Sequence, residues 1–124
     1  MTTILAVDDN PANLLLIKKI LASRGNIPDL AHNGLEALKM MREKHYDLVL
    51  VDVMMPFIDG IETVRLIREA QPEAPPYVAL VTAVDLEECQ SMLKDHVIDA
   101  LISKGSAYSS FKTSLLNLLD KVIS

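Results

Sequence analysis

The chain has 124 residues and a single cysteine, Cys89. That excludes an intramolecular disulfide and suits a reducing compartment. It has no excess of basic residues. Twelve Lys and Arg stand against seventeen Asp and Glu, for a net charge of −5 and a pI of about 5.1. This leaves no electrostatic footprint for nucleic acid or an anionic membrane surface. No apolar run approaches the roughly 18 residues needed to span a bilayer. The start, Met1-Thr2-Thr3-Ile4-Leu5, lacks the basic stretch and long apolar run of a signal peptide. Repeats, low-complexity tracts and Gly/Ser linkers are missing too. The expectation is one soluble, cytoplasmic domain over residues 1–124 that binds neither nucleic acid nor membrane. Half of the residues are hydrophobic and the mean hydropathy is +0.25, enough for an ordered core without covalent staples.

Four short apolar runs are present, at 4–7, 48–51, 77–81 and 98–102. Each is nearly continuous rather than alternating, as in strands covered on both faces. A weaker run at 28–31 contains Pro28 and Asp29 and reads as an edge strand. Helical patterns lie between the runs. Asn10 before Pro11 fits an N-cap followed by proline at the first helical position. Asn33 with Glu36, Asp59 with Glu62, and Asp85 with Glu88 have capping-box spacing. Gly25 sits where the first helix should stop. A last amphipathic segment covers 108–123. The cluster of Pro72, Pro75 and Pro76 reads as a loop. Strand and helix thus alternate five times, which implies a parallel sheet with helices on both faces. Such sheets bind ligands beyond the carboxyl ends of their strands.

The residues at those ends carry the chemistry. The first strand runs into Asp8-Asp9, the third into Asp52, the fourth into Thr82-Ala83, and the fifth reaches Lys104. Three carboxylates brought together repel and call for a cation. All-oxygen donors favour Mg²⁺. Lys104 adds a fixed positive charge and Thr82 a hydroxyl, so the set suits a group with several anionic oxygens, such as phosphoryl. Asp52 is then the candidate nucleophile. Taken singly, each residue has a plainer reading as a helix cap, a local turn bond or a surface charge. The joint placement on four strand ends favours the functional one. His32, His45 and His96 lack ligand spacing. Met40-Met41 and Met54-Met55 read as packing residues.

On "AVDDN" (6–10), "LVDVMMPFIDG" (50–60), "LVTA" (80–83) and "SKG" (103–105), the chain resembles the receiver domains of two-component response regulators. The likeness spans essentially the whole chain. It implies a flavodoxin-like α/β fold, doubly wound, with a five-stranded parallel sheet in order 2-1-3-4-5 flanked by five helices. It implies that Asp52 accepts a phosphoryl group from a partner histidine kinase or histidine phosphotransfer protein. Asp8 and Asp9 would bind Mg²⁺ with Asp52 and the backbone carbonyl of Met54. Lys104 would pair with the phosphoryl oxygens, and Thr82 would bond one of them after rearrangement. Such a protein catalyses only its own phosphorylation and slow autodephosphorylation, and signals to an effector. A homodimer through the fourth helix, fifth strand and fifth helix is one further partner, with Leu101, Tyr108 and Phe111 as its apolar contact. The leucine-rich first helix would bury a wide face on the sheet or dock a kinase or phosphotransfer helix.

The chain departs from the family pattern in places. Gly105 stands where proline is usual, and Leu101 where the family often has Tyr or Phe, which puts the usual Thr–aromatic coupling in doubt. "HVID" (96–99) replaces small residues before the fifth strand, which points to non-standard packing there. Met54 and Val84, two residues after Asp52 and Thr82, cannot orient water, which predicts a long-lived phosphoryl group. These departures keep a second reading open, a receiver-like docking module that is not phosphorylated. Two others fit less well. A haloacid-dehalogenase-type phosphohydrolase needs an acid where Met54 stands, with its nucleophile on the first strand. A flavodoxin-type mononucleotide binder needs a Ser/Thr/Gly-rich phosphate loop where Asp-Asp-Asn-Pro follows the first strand.

Overall fold

The computed structural model describes residues 2–55, 58–70, 73–83, 87–105 and 107–123. Pro56, Pro72, Val84 and Asp85, to which the sequence gives roles, lie outside them. Five strands and five helices alternate: β1 (Ile4–Val7), α1 (Pro11–Ala22), β2 (Asp29–Ala31), α2 (Gly34–Glu43), β3 (Leu48–Asp52), α3 (Gly60–Ala70), β4 (Tyr77–Thr82), α4 (Glu87–Lys94), β5 (Ala100–Ser103) and α5 (Tyr108–Ile123). The strands form one parallel sheet in the order β2-β1-β3-β4-β5. The weak run with Pro28 is indeed an edge strand.

Alternation along the strands divides the core in two. Leu5, Val7, Val49, Val51, Val78 and Leu80 face α2, α3 and α4, where Met41, Val64, Ile67, Cys89 and Met92 meet them. Ile4, Ala6, Leu48, Leu50, Ala79, Val81 and Ile102 face α1 and α5. Burial on both faces is why these runs are continuous rather than alternating. Each fully buried Leu or Ile contributes about 1.5–3 kcal/mol relative to exposure. The wide apolar face of α1 goes mostly into this core through Leu14, Ile17, Ile20 and Leu21, with Leu16 partly covered and Leu15 exposed.

The helix starts follow the capping side chains. Asn10 Oδ1 accepts from Ala12 N–H and Asn13 N–H, with Pro11 at the first helical position. Asn33 Oδ1 accepts from Glu36 N–H at 2.8 Å, and Asp59 Oδ1 from Glu62 N–H at 2.8 Å. The Asn33 box is one-sided, because the Glu36 carboxylate turns to His32 at 3.2 Å.

Four expectations are corrected. The run at 98–102 begins before its strand: Ile98 is buried in the connection, its N–H on Met92 O, and β5 starts at Ala100. Apolarity there marks burial rather than pairing. Before it, "HVID" forms an ordinary helix stop. His96 takes φ +60°, His96 N–H bonds Leu93 O and Val97 N–H bonds Met92 O, the double bond of a Schellman cap. Leu101, Tyr108 and Phe111 do not form one surface. Leu101 packs on the α2–α4 side and Phe111 is buried against α1, leaving Tyr108 exposed. Met54 is not a packing residue; it is 69% exposed, while Met55 rests on the core.

Candidate phosphoacceptor and metal site

The sheet register assembles the site. Val7 pairs with Val51, so the next residues, Asp8 and Asp52, leave adjacent strands side by side. Thr82 pairs with Ser103, and Lys104 N–H bonds Thr82 O at 2.8 Å, which ties the start of the β5–α5 loop to the end of β4. Asp8 and Asp52 continue the Ala6 and Leu50 side of their strands. By the same alternation Thr82 continues the Leu80 side. Asp8, Asp52 and Thr82 are all buried, Asp9 is exposed and Lys104 lies between.

Carboxylate oxygens of Asp8, Asp9 and Asp52 lie within 4.8 Å of one another. Lys104 Nζ stands between two of the acids, 3.1 Å from Asp52 Oδ1 and 3.4 Å from Asp8 Oδ2. Asn10 N–H donates to Asp8 Oδ1 at 2.9 Å. Burial pushes the Asp52 carboxyl above the usual carboxylate range, and the Asp8 charge adds to the rise. Lys104 opposes it, and Asp9 adds a smaller push upward. One ammonium therefore does not balance three acids. The donor set fits a hard cation: three carboxylates at a partly open edge, with an excess of negative charge.

The turn after Asp52 is shaped from below. Val53 N–H bonds Val81 O at 3.0 Å, and Gly60 N–H bonds Val53 O at 2.9 Å. A Cβ on Gly60 would overlap the backbone of Asp52 and Val53, so only glycine lets α3 start directly behind the candidate nucleophile. On the other side of the site, Gly105 adopts φ +60° with its N–H on Ser103 Oγ at 3.1 Å. Proline has φ fixed near −65° and no N–H, so it does not fit this turn.

Every sequence-predicted site residue is thus at the carboxyl edge. Asp8, Asp9 and Asp52 gather their carboxylates in one cluster, and Lys104 pairs with Asp8 and Asp52. Thr82 is linked to them through the backbone of Lys104. Met54 follows in the turn with its side chain exposed. Asn10 was legible only as a helix cap; that its N–H also holds Asp8 depends on the turn geometry, which spacing does not reveal.

The response regulator receiver domain family matches residues 4–115. Over 100 residues the chain is 39% identical to the transcriptional regulatory protein ZraR of Klebsiella oxytoca, covering 80% of this chain and 22% of that protein. Over 102 residues it is 37% identical to the sensor histidine kinase GacS of Pseudomonas protegens, covering 79% of this chain and 11% of that protein. The chain thus spans about a tenth to a fifth of the length of these curated relatives. Among solved structures, the Thermotoga maritima response regulator TrrA, in complex with Mg²⁺-BeF, has a TM-score of 0.81 and 33% identity, with 98% of this chain and 99% of that one covered. The Vibrio cholerae chemotaxis protein CheY4 has a TM-score of 0.83 and 25% identity, with 98% of each chain covered. Fold, strand order and sequence agree, and the chain belongs to the response regulator receiver domain family of two-component systems.

Proposed function

We propose that this chain is a phosphoacceptor that takes a phosphoryl group on Asp52 from a phosphohistidine of a histidine kinase or histidine phosphotransfer protein, and signals that state to an effector. A carboxylate oxygen of Asp52 attacks phosphorus. The phosphorus–nitrogen bond breaks, and its electron pair leaves with the imidazole, which takes up a proton. The Asp8, Asp9 and Asp52 carboxylates, with the backbone carbonyl of Met54, are the groups that would hold Mg²⁺. When bound, the ion supplies the positive charge that offsets the clustered acids and the phosphoryl oxygens. Lys104, already 3.1 Å from Asp52, pairs with an oxygen of the transferred group. Thr82 is the candidate hydroxyl for another. The chain catalyses its own phosphorylation and slow loss of the group, rather than turnover of a separate substrate.

The observation that carries this reading is the lysine bridging two buried strand-end acids inside a three-carboxylate cluster. The relative TrrA, solved with Mg²⁺-BeF, supports it. The test is intact mass after incubation with Mg²⁺ and acetyl phosphate. One phosphoryl adduct is expected on the native chain and none on Asp52→Asn or without Mg²⁺. A native chain that binds Mg²⁺ yet gains no adduct contradicts the proposal and points to a docking module.

A further inference from the structure

Asp8 is almost fully buried, and both of its carboxylate oxygens are engaged. Asn10 N–H donates to Oδ1 at 2.9 Å, and Lys104 Nζ lies 3.4 Å from Oδ2. Asn10 is also the N-cap of α1. Its φ of −97° and ψ of 111° are extended, and its Oδ1 accepts from Ala12 N–H at 2.9 Å and Asn13 N–H at 3.4 Å. Its carbonyl accepts from Leu14 N–H at 3.2 Å. The residue that starts the helix is therefore clamped on its own side chain, and in that pose its backbone N–H meets Asp8.

We propose that Asn10 is a positioning residue for the acidic site, acting through Asp8 to set the affinity of the site for Mg²⁺. This rests on the reading of the cluster as a Mg²⁺ site. A carboxylate among like charges gains by turning away from them. The Asn10 N–H holds one oxygen of Asp8 and so restricts that rotation. The cap bonds in turn fix the backbone of Asn10. Without the side chain the N–H remains, but its direction is no longer set. Groups that orient a ligand without touching the metal act in this way.

The alternative is that Asn10 only caps α1. A second cap separates the two. Asn33 caps α2 through Glu36 N–H at 2.8 Å, with no bond to the acidic cluster among the described residues. Calorimetric titration with MgCl₂ of the native chain, Asn10→Ala, Asn10→Ser and Asn33→Ala, with urea unfolding of each, gives the answer. Asn10→Ala should weaken Mg²⁺ binding roughly tenfold, as is common for residues that orient ligands. Asn10→Ser, which retains a capping oxygen, should return to within about twofold. Asn33→Ala should lose comparable stability with the Mg²⁺ affinity unchanged. Native affinity in Asn10→Ala, no recovery in Asn10→Ser, or equal weakening in Asn33→Ala overturns the positioning role while leaving the Mg²⁺ site standing. A native chain that does not bind Mg²⁺ at millimolar concentration overturns the site reading as well.

Discussion

Asp52 concentrates the tension of the site in one side chain. Its carboxyl is raised chiefly by burial and by the neighbouring Asp8. A group that binds its proton more tightly when folded stabilises the fold below its unfolded value, and that contribution is lost as pH rises through the folded value. The native chain without Mg²⁺ should therefore lose stability as pH rises above the usual aspartate range. Asp52→Asn removes a charge whose burial and like-charge neighbour are unfavourable, and should raise stability at pH 7. The gain should shrink toward pH 4, and urea unfolding at both values checks it. Asp29 and Asp47 have the opposite sign. The Tyr46 hydroxyl, donating at 2.7 Å, holds Asp29 low, and the Thr3 N–H holds Asp47 low. Their contribution is present above the unfolded value and is lost as pH falls through the folded ones. A second prediction concerns Met54, whose exposed thioether cannot donate a hydrogen bond to water. Changing Met54 to Asn together with Val84 to Glu should speed loss of the phosphoryl group roughly tenfold or more by orienting an attacking water. An unchanged decay rate in a phosphate-release assay would count against it.

Two connections between elements show what the sequence conceals. Gly60 starts α3 directly behind Asp52, where a Cβ meets backbone rather than a flexible side chain. Gly60→Ala should cost about 3 kcal/mol in urea unfolding and weaken Mg²⁺ binding together with it. Loss of stability with unchanged Mg²⁺ affinity would show that the turn repacks without moving Asp52. At the end of α4, His96 holds a left-handed conformation that favours glycine. His96→Gly should therefore stabilise the fold by about 1 kcal/mol, and a lower melting temperature would contradict that. The strand ends were legible because doubly covered strands are unbroken apolar runs that finish in a polar residue. The His96 stop was not, because histidine signals positive φ far more weakly than glycine does. The run at 98–102 misled for a related reason, since Ile98 is buried without being paired. Arg68 was equally illegible. It bonds Val97 O at 2.9 Å, Pro76 O at 3.1 Å and Asp99 Oδ2 at 2.9 Å, partners that only the folded chain brings together.

At the scale of the molecule, the sheet places two of the acids and Lys104 on one side and Leu101, with Thr82, on the other. Asp8 and Asp52, by strand alternation, and Lys104, beside Leu16, Ile17 and Phe111, lie toward α1 and α5, whereas Leu101 packs with the α2–α4 half of the core. Which side each residue takes depends on strand phase: a strand begun at Ile98, which packs on the α2–α4 side, would put Ala100 on that same side, whereas Ala100 packs toward α1 and α5. Leucine at 101 offers no ring to turn inward. A phosphoryl mimic such as beryllofluoride should therefore move the amide resonances of Thr82, Glu87 and Glu88 more than those of Leu101 and Ile102. Equal or larger shifts on β5 would restore an aromatic-like switch without the aromatic. In the proposed function one carboxylate of the three, that of Asp52, carries the phosphoryl group. Borohydride reduces an aspartyl phosphate to homoserine, so peptide mapping after incubation with acetyl phosphate and Mg²⁺ reads the site directly. Homoserine is expected at position 52 alone; homoserine at Asp8, Asp9 or Asp59, or at none, would rule out Asp52 as the phosphoacceptor.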